Sequence, residues 1–134
     1  MGKRHRQLLL SAVVTASWLA LSGGGSYAVT AQQETCAPTG NALQITAFDS
    51  KFDKKCLAAP ADQNFTIEFS NLDRGIPHNV AIYEDDTATK TYFKGELLDG
   101  PGKTTYSVQG LPAGKYYFQC DPHADEMNGT FISG

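Results

Sequence analysis

The sequence predicts an all-β domain, a sandwich or a barrel, on three observations. Short runs alternate apolar and polar residues, as strands with one buried face do. Clusters of turn-forming residues separate these runs, for example "NLDRG" (71–75), "DGPGK" (99–103) and "LPAGK" (111–115). No segment shows apolar residues at helical spacing over a useful length.

Six runs carry the strand signal: "ALQITAF" (42–48), "FTIEFS" (65–70), "HNVAIY" (78–83), "TTYSV" (104–108), "KYYFQC" (115–120) and "GTFIS" (129–133). The third run is apolar nearly throughout, which predicts a strand buried on both faces. The segment 83–100 is less regular, and we expect a short helical turn and an edge strand there. The stretch "DRG" (73–75) is expected to be a solvated turn.

The first 31 residues have the layout of a secretory signal peptide. Lys3, Arg4 and Arg6 form a positive head, an apolar run follows, and small residues come next, with cleavage at Ala28 or Ala31. The apolar run is shorter than the ~20 residues that a spanning helix needs, although an uncleaved anchor remains an alternative. We therefore expect a signal peptide at 1–31, one domain at 32–134, and a periplasmic or extracellular location.

The charge balance restricts the partners. The chain has 11 Lys and Arg against 14 Asp and Glu. Removal of the signal peptide takes away three basic residues and leaves 8 against 14, a net charge of −6. An acidic surface argues against nucleic acid or anionic lipid as a partner. We also expect no stable membrane insertion after signal cleavage.

The three cysteines, Cys36, Cys56 and Cys120, are an odd number. Disulfides persist in exported proteins, so at least one thiol is left over and needs an explanation. Cys120 begins the stretch "CDPHADEM", which also contains His123 and Met127. Cys120 is therefore either a disulfide partner or a metal ligand.

The predicted mature chain has one other histidine, His78, at the start of a buried strand. In an antiparallel sandwich, the start of one strand and the end of another can lie at the same pole. Two imidazoles and a thiolate with a weak axial thioether are the ligands of a blue copper electron-transfer site. A structural zinc site would normally use four Cys or His ligands, and Met is a poor one.

The stretches "IPHNVAIY" (76–83) and "YYFQCDPHADEMNGTF" (116–131) resemble small cupredoxins of the plastocyanin–azurin type. The strand pattern extends this resemblance over residues 36–134. It implies an eight-stranded Greek-key β-sandwich with one type 1 copper ion at one end. The gaps of two and three residues in the Cys-His-Met loop match neither plant plastocyanin nor azurin in both positions, so the subfamily stays open.

The resemblance also implies roles for individual residues. His78 is expected to be the isolated histidine ligand, Cys120 the thiolate, His123 the second histidine and Met127 the axial ligand. Asn79 resembles the family's residue that hydrogen-bonds across to the cysteine loop. With Cys120 assigned to copper, the other two cysteines remain as a pair, for which we expect a disulfide, with two unpaired thiols as the alternative.

The expected function is that of an exported electron carrier and not of an enzyme. We expect a monomer that docks transiently to redox proteins near His123, through an apolar rim formed by Ile76, Pro77, Pro122 and Ala124. The acidic residues nearby are expected to steer a positively charged partner; they are Asp121, Asp125 and Glu126. Two alternatives are a protein that buffers or delivers copper without redox turnover and a metal-free, disulfide-stapled interaction domain.

Overall fold

The computed structural model describes residues 36–134, and the predicted signal peptide lies outside this range. The strands are β1 (Ala42–Phe48), β2 (Lys51–Phe52), β3 (Cys56–Ala59), β4 (Phe65–Asn71), β5 (Pro77–His78), β6 (Ala81–Tyr83), β7 (Thr91–Lys94), β8 (Leu98–Asp99), β9 (Gly102–Val108), β10 (Gly114–Gln119) and β11 (Asn128–Ser133). A 3-10 turn spans Asp121–His123. None of the described residues forms a helix that is long and apolar enough to cross a membrane.

Two sheets pack face to face around one core. The first has the strand order β2-β1-β4-β9 and the second has the order β3-β11-β10-β6-β7, while β5 pairs with β8 alone. Aromatic rings join the two sheets: the centroid of Phe65 on β4 lies 5.2 Å from that of Phe131 on β11, and Phe52 on β2 lies 5.6 Å from Phe118 on β10. The predicted all-β sandwich is confirmed.

The alternation in the sequence corresponds to the buried face of the first sheet. On β1, Leu43 and Ile45 are buried, and their neighbours are more exposed. On β4, Ile67 and Phe69 are buried in the same way. These strands pair in parallel, with Leu43 opposite Ile67 and Ile45 opposite Phe69. Because successive side chains of a strand point to opposite faces, the paired apolar residues all enter the core.

The run 78–83 is buried throughout, as expected, but it is not one strand. It begins within β5, which pairs with β8, and ends as β6, which pairs with β10 and β7. Between them, the Asn79 side chain donates a hydrogen bond to the Gly95 carbonyl, and the Gly95 N–H donates to the Val80 carbonyl. These contacts replace a continuous strand pairing.

The segment between β6 and β9 contains the expected edge strand, because β7 ends the order of the second sheet. The expected helical turn is wrong: residues 85–88 form a turn in which the Ala88 N–H donates to the Asp85 carbonyl, and no helix is assigned there. The strand β3 was not predicted. It pairs in parallel with β11, and its first residue, Cys56, bonds to Cys36. The expected disulfide is thus confirmed, and Cys120 is the free cysteine of residues 36–134.

The disulfide should contribute measurably to stability. Replacing both Cys36 and Cys56 with Ser should lower the free energy of unfolding by about 3 kcal/mol, because the bond closes a loop across a separation of 20 residues. Urea denaturation followed by circular dichroism measures the loss. Titration of the denatured wild type should find one reactive thiol, and three thiols would contradict the pairing.

Candidate metal centre

Three side chains with metal-binding atoms converge at one end of the sandwich. His78 lies on β5, Cys120 directly follows β10, and His123 ends the 3-10 turn. The Cys120 Sγ atom lies 3.5 Å from the Nδ1 atom of His78 and 3.8 Å from the Nδ1 atom of His123. The potential ligand atoms of these three residues all lie within 4.8 Å of one another. A single ion could therefore contact all three.

Backbone hydrogen bonds close the loop that carries Met127. The Cys120 N–H donates to the Met127 carbonyl at 2.8 Å, and the Met127 N–H donates to the His123 carbonyl at 2.9 Å. The His123 N–H in turn donates to the Cys120 carbonyl at 3.1 Å. Met127 is fully buried, as are His78 and Cys120, whereas His123 is partly exposed. The site thus lies inside the protein and reaches the surface at His123.

The orientation of His78 is set by a carboxylate. The His78 Nε2 atom lies 2.9 Å from Oδ2 of Asp73. A carboxylate oxygen only accepts hydrogen bonds, so this contact needs a proton on Nε2, while Nδ1 is the ring nitrogen that faces Cys120. Metal-binding histidines are commonly oriented by such a contact at the second ring nitrogen. The geometry of His78 therefore fits coordination through Nδ1.

The burial of Asp73 contradicts the prediction of a solvated turn at 73–75. Arg74 and Gly75 are exposed, but only 8% of Asp73 is. Its carboxylate accepts hydrogen bonds from the backbone N–H groups of Asp49 at 2.7 Å and Ser50 at 2.9 Å. Burial raises the pKa of the Asp73 carboxyl, but these hydrogen bonds and the contact with His78 outweigh it, so the pKa lies below its usual value. No local sequence pattern indicates these distant partners.

A second, partly buried network holds the cysteine loop against Asn79, the residue that follows His78. The Asn79 Oδ1 atom accepts a hydrogen bond from the Asp121 N–H at 2.8 Å, and its Nδ2 donates to the Asp121 carboxylate at 2.9 Å. That carboxylate also accepts a hydrogen bond from Tyr83 at 2.6 Å and forms a salt bridge with Lys94 at 3.1 Å. Asn79 thus makes the contact that was expected of it, and the Tyr83 and Lys94 contacts were not predicted.

These contacts change the proton affinities of the network. Burial raises the pKa of the Asp121 carboxyl, but hydrogen bonds from Tyr83, Asn79 and other donors outweigh that effect and keep the pKa below its usual value. Burial and the neighbouring Asp121 carboxylate raise the pKa of Tyr83 to about 12. Asp121 is therefore an anion at neutral pH and Tyr83 is a neutral donor to it.

Unlike the pKa of Asp121, the pKa of Cys120 is raised. Burial raises the pKa of the Cys120 thiol, although hydrogen bonds from the backbone N–H groups of Asn79 and His123 oppose the shift. The metal-free site therefore holds a protonated thiol at neutral pH. A soft metal ion that binds the thiolate would displace this proton.

The donor set fits copper. Two imidazole nitrogens and a cysteine sulfur face one another, and a buried methionine completes the loop. This combination is typical of blue copper sites, whereas zinc sites seldom use methionine. The side chains His78, Cys120, His123 and Met127 are arranged as a copper site, and the role of each one as a ligand stays a prediction.

Comparisons with known proteins agree with the fold described above. A family model described as a cupredoxin-like domain matches residues 11–133. Among solved structures, auracyanin from Roseiflexus castenholzii has 20% sequence identity and a TM-score of 0.62 over 70% of this chain and 97% of its own. Auracyanin A from Chloroflexus aurantiacus, a "blue" copper protein, has 19% identity and a TM-score of 0.63 over 71% of this chain and 99% of its own.

Amicyanin from Paracoccus versutus has 24% identity and a TM-score of 0.52, over 70% of this chain and 82% of its own. A comparison with curated protein sequences found no significant match. At these identities the solved structures establish a shared fold.

Asn79 should be critical for the closed loop. An Asn79→Leu variant loses its hydrogen bonds with Asp121 and Gly95 and leaves the partly buried Asp121 N–H without a partner. We expect the free energy of unfolding to fall by roughly 1–3 kcal/mol. Asn64→Leu is the control, because Asn64 is exposed and its side chain accepts one hydrogen bond, from the Gly110 N–H. Equal losses in the two variants would contradict the role given to Asn79.

Proposed function

Because this chain belongs to the cupredoxin-like family, we propose that it is an exported type 1 copper protein that carries single electrons between redox partners. The observation that carries the proposal is the convergence of the three ligand atoms of His78, Cys120 and His123 within 4.8 Å. Auracyanin A is described as a blue copper protein, and amicyanin has been solved in a Cu(I) form.

The proposed ligands have distinct tasks. Cys120 would supply the soft thiolate, His78 and His123 would supply Nδ1 atoms, and Met127 would supply a weakly binding thioether sulfur. Copper held there supplies one-electron chemistry, because it is stable as both Cu(I) and Cu(II). Soft sulfur suits Cu(I) and imidazole suits Cu(II), so this mixed set serves both states. No substrate bond is made or broken, which is why we propose a carrier and not an enzyme.

The scaffold supports this task by limiting movement. The hydrogen bonds from His78 to Asp73 and from the Asp121 N–H to Asn79 involve groups that are buried or partly buried. Buried hydrogen-bonded side chains in a close-packed interior have few alternative arrangements. These contacts would hold the metal-binding atoms in nearly the same positions with Cu(I) and with Cu(II), which would favour fast electron transfer.

We propose that redox partners dock around His123, the proposed ligand that is partly exposed. Ile76 and Pro122 are exposed, and Pro77 and Ala124 are partly exposed, which supports the apolar rim expected from the sequence. Transient redox contacts are small, below ~1,200 Å² in total, and this permits rapid release. Docking by a monomer is the simplest arrangement for such a surface.

Charge near His123 supports a positively charged partner. Asp125 and Glu126 are exposed. Asp121 is a weaker candidate for steering than the sequence suggested, because Lys94 lies 3.1 Å from its carboxylate. We propose that the other two acids steer the partner, that residues 1–31 direct export, and that residues 32–134 form the mature protein.

The copper assignment can be tested on the mature domain. Addition of Cu(II) should give an intense visible thiolate-to-copper absorption and a narrow copper hyperfine splitting in EPR. Cys120→Ser should abolish both signals, because the thiolate is lost. The Cys36→Ser/Cys56→Ser variant should keep them. Reversible voltammetry with fast self-exchange supports the carrier, whereas poor reversibility with ready copper transfer to an acceptor would support copper delivery.

The steering proposal has a separate test. Asp125→Asn/Glu126→Gln should slow electron transfer with the cation hexaammineruthenium roughly 3- to 10-fold at low ionic strength and weaken its salt dependence, because the attraction is electrostatic. Asp62→Asn/Glu68→Gln removes the same charge from the connection before β4 and from β4 itself, and should have a smaller effect. Equal effects of both pairs would show that only net charge matters.

A further inference from the structure

We propose that Asp73 is a positioning residue for the metal centre: it fixes the proton of His78 on Nε2, presents Nδ1 to the metal, and favours Cu(II) over Cu(I). The part that concerns copper rests on the function proposed above. The part that concerns the His78 proton does not, because it is a property of the metal-free protein.

The contacts of His78 leave little freedom to the ring. The residue is fully buried. Its Nε2 atom contacts Oδ2 of Asp73 at 2.9 Å, and its Nδ1 atom faces Sγ of Cys120 at 3.5 Å. A ring flip would turn Cδ2–H toward Cys120 in place of Nδ1 and Cε1–H toward Asp73 in place of Nε2–H. The buried carboxylate would then lose this donor, and losing a hydrogen bond to a charged group is costly.

The Asp73 carboxylate is itself held by backbone groups. Asp49 and Ser50 join β1 to β2, and both have positive φ values, 53° and 52°. Consecutive N–H groups in such a turn can form a concave site for an anion. Here the Asp49 N–H donates to Oδ1 and the Ser50 N–H donates to Oδ2. The turn thus aims the carboxylate at His78 and stabilises its negative charge.

This charge should affect the two oxidation states differently. A carboxylate that accepts a hydrogen bond from Nε2–H increases the electron density of the imidazole ring. This makes Nδ1 a stronger electron donor. Because Asp73 is almost fully buried, water screens its charge poorly. A stronger donor and a nearby negative charge stabilise the doubly charged ion more than the singly charged one. Asp73 therefore lowers the reduction potential relative to a neutral acceptor.

The test compares Asp73→Asn with Asp53→Asn in the mature domain. Asp53 is a matched control, because its exposed carboxylate also accepts a backbone hydrogen bond, from the Thr46 N–H, and does not contact His78. Both variants remove one negative charge. The readouts are the nitrogen-15 NMR shifts of His78 in the metal-free protein, the Kd values for Cu(II) and Cu(I), and the reduction potential.

In the wild type, NMR should find the His78 proton on Nε2. In Asp73→Asn, part of the population should shift to Nδ1–H, and the Kd for Cu(II) should rise about 10- to 100-fold. The Kd for Cu(I) should rise less, and each tenfold difference between the two raises the potential by about 59 mV. Asp53→Asn should change none of these quantities substantially.

Three outcomes would overturn the proposal. One is a wild-type His78 with its proton on Nδ1, which can be measured even if Asp73→Asn does not fold. Another is an Asp73→Asn variant that loses stability but keeps the wild-type tautomer and Cu(II) affinity, which would make Asp73 purely structural. The third is a reduction potential that shifts by the same amount in Asp73→Asn and in Asp53→Asn. If the wild type binds no copper, the proposed function fails, and the NMR result alone decides whether Asp73 sets the tautomer.

Discussion

The hydrogen bond from the Asp121 N–H to the Asn79 side chain joins the two parts of the chain that form the site. Asn79 directly follows His78, and Asp121 directly follows Cys120. This 2.8 Å contact therefore fixes the position of His78 relative to Cys120. Backbone hydrogen bonds from Cys120 and Met127 then close the rest of the loop. The strand pairings of β5 and β10 place His78 and Cys120 close enough for this hydrogen bond to form.

Two carboxylates flank the metal-binding atoms, and each is held in a different way: Asp73 is buried and Asp121 is partly buried. Asp73 contacts His78 and is held by two backbone N–H groups. Asp121 lies beside Cys120 and is held by side chains, among them Lys94, which carries a compensating positive charge. Within residues 36–134, His78 is the only basic side chain in contact with the Asp73 carboxylate, so the charge of Asp73 acts on the site without full compensation. This difference explains why Asp73, and not Asp121, is the stronger candidate for setting the preference between oxidation states.

The sequence predicted strands best where burial follows a period of two. β1 and β4 alternate clearly, because one face meets the core and the other meets solvent. The run 78–83 could not be divided correctly, since every residue in it is buried and periodicity carries no information there. The break depends on Asn79 side-chain contacts with residues that lie 16 and 42 positions later in the chain.

By itself, the sequence determined the chemistry of the centre: the residue types and spacing of His78, Cys120, His123 and Met127 indicated copper, and the leftover cysteine pair indicated the disulfide. The tertiary structure alone decided what surrounds those residues. Asp73 looked like part of an exposed turn because its neighbours Arg74 and Gly75 are polar or small. It is buried because the β1–β2 turn, more than twenty residues earlier, directs two N–H groups at its carboxylate. Such a partner depends on how the chain folds back on itself, and local sequence patterns do not contain that information.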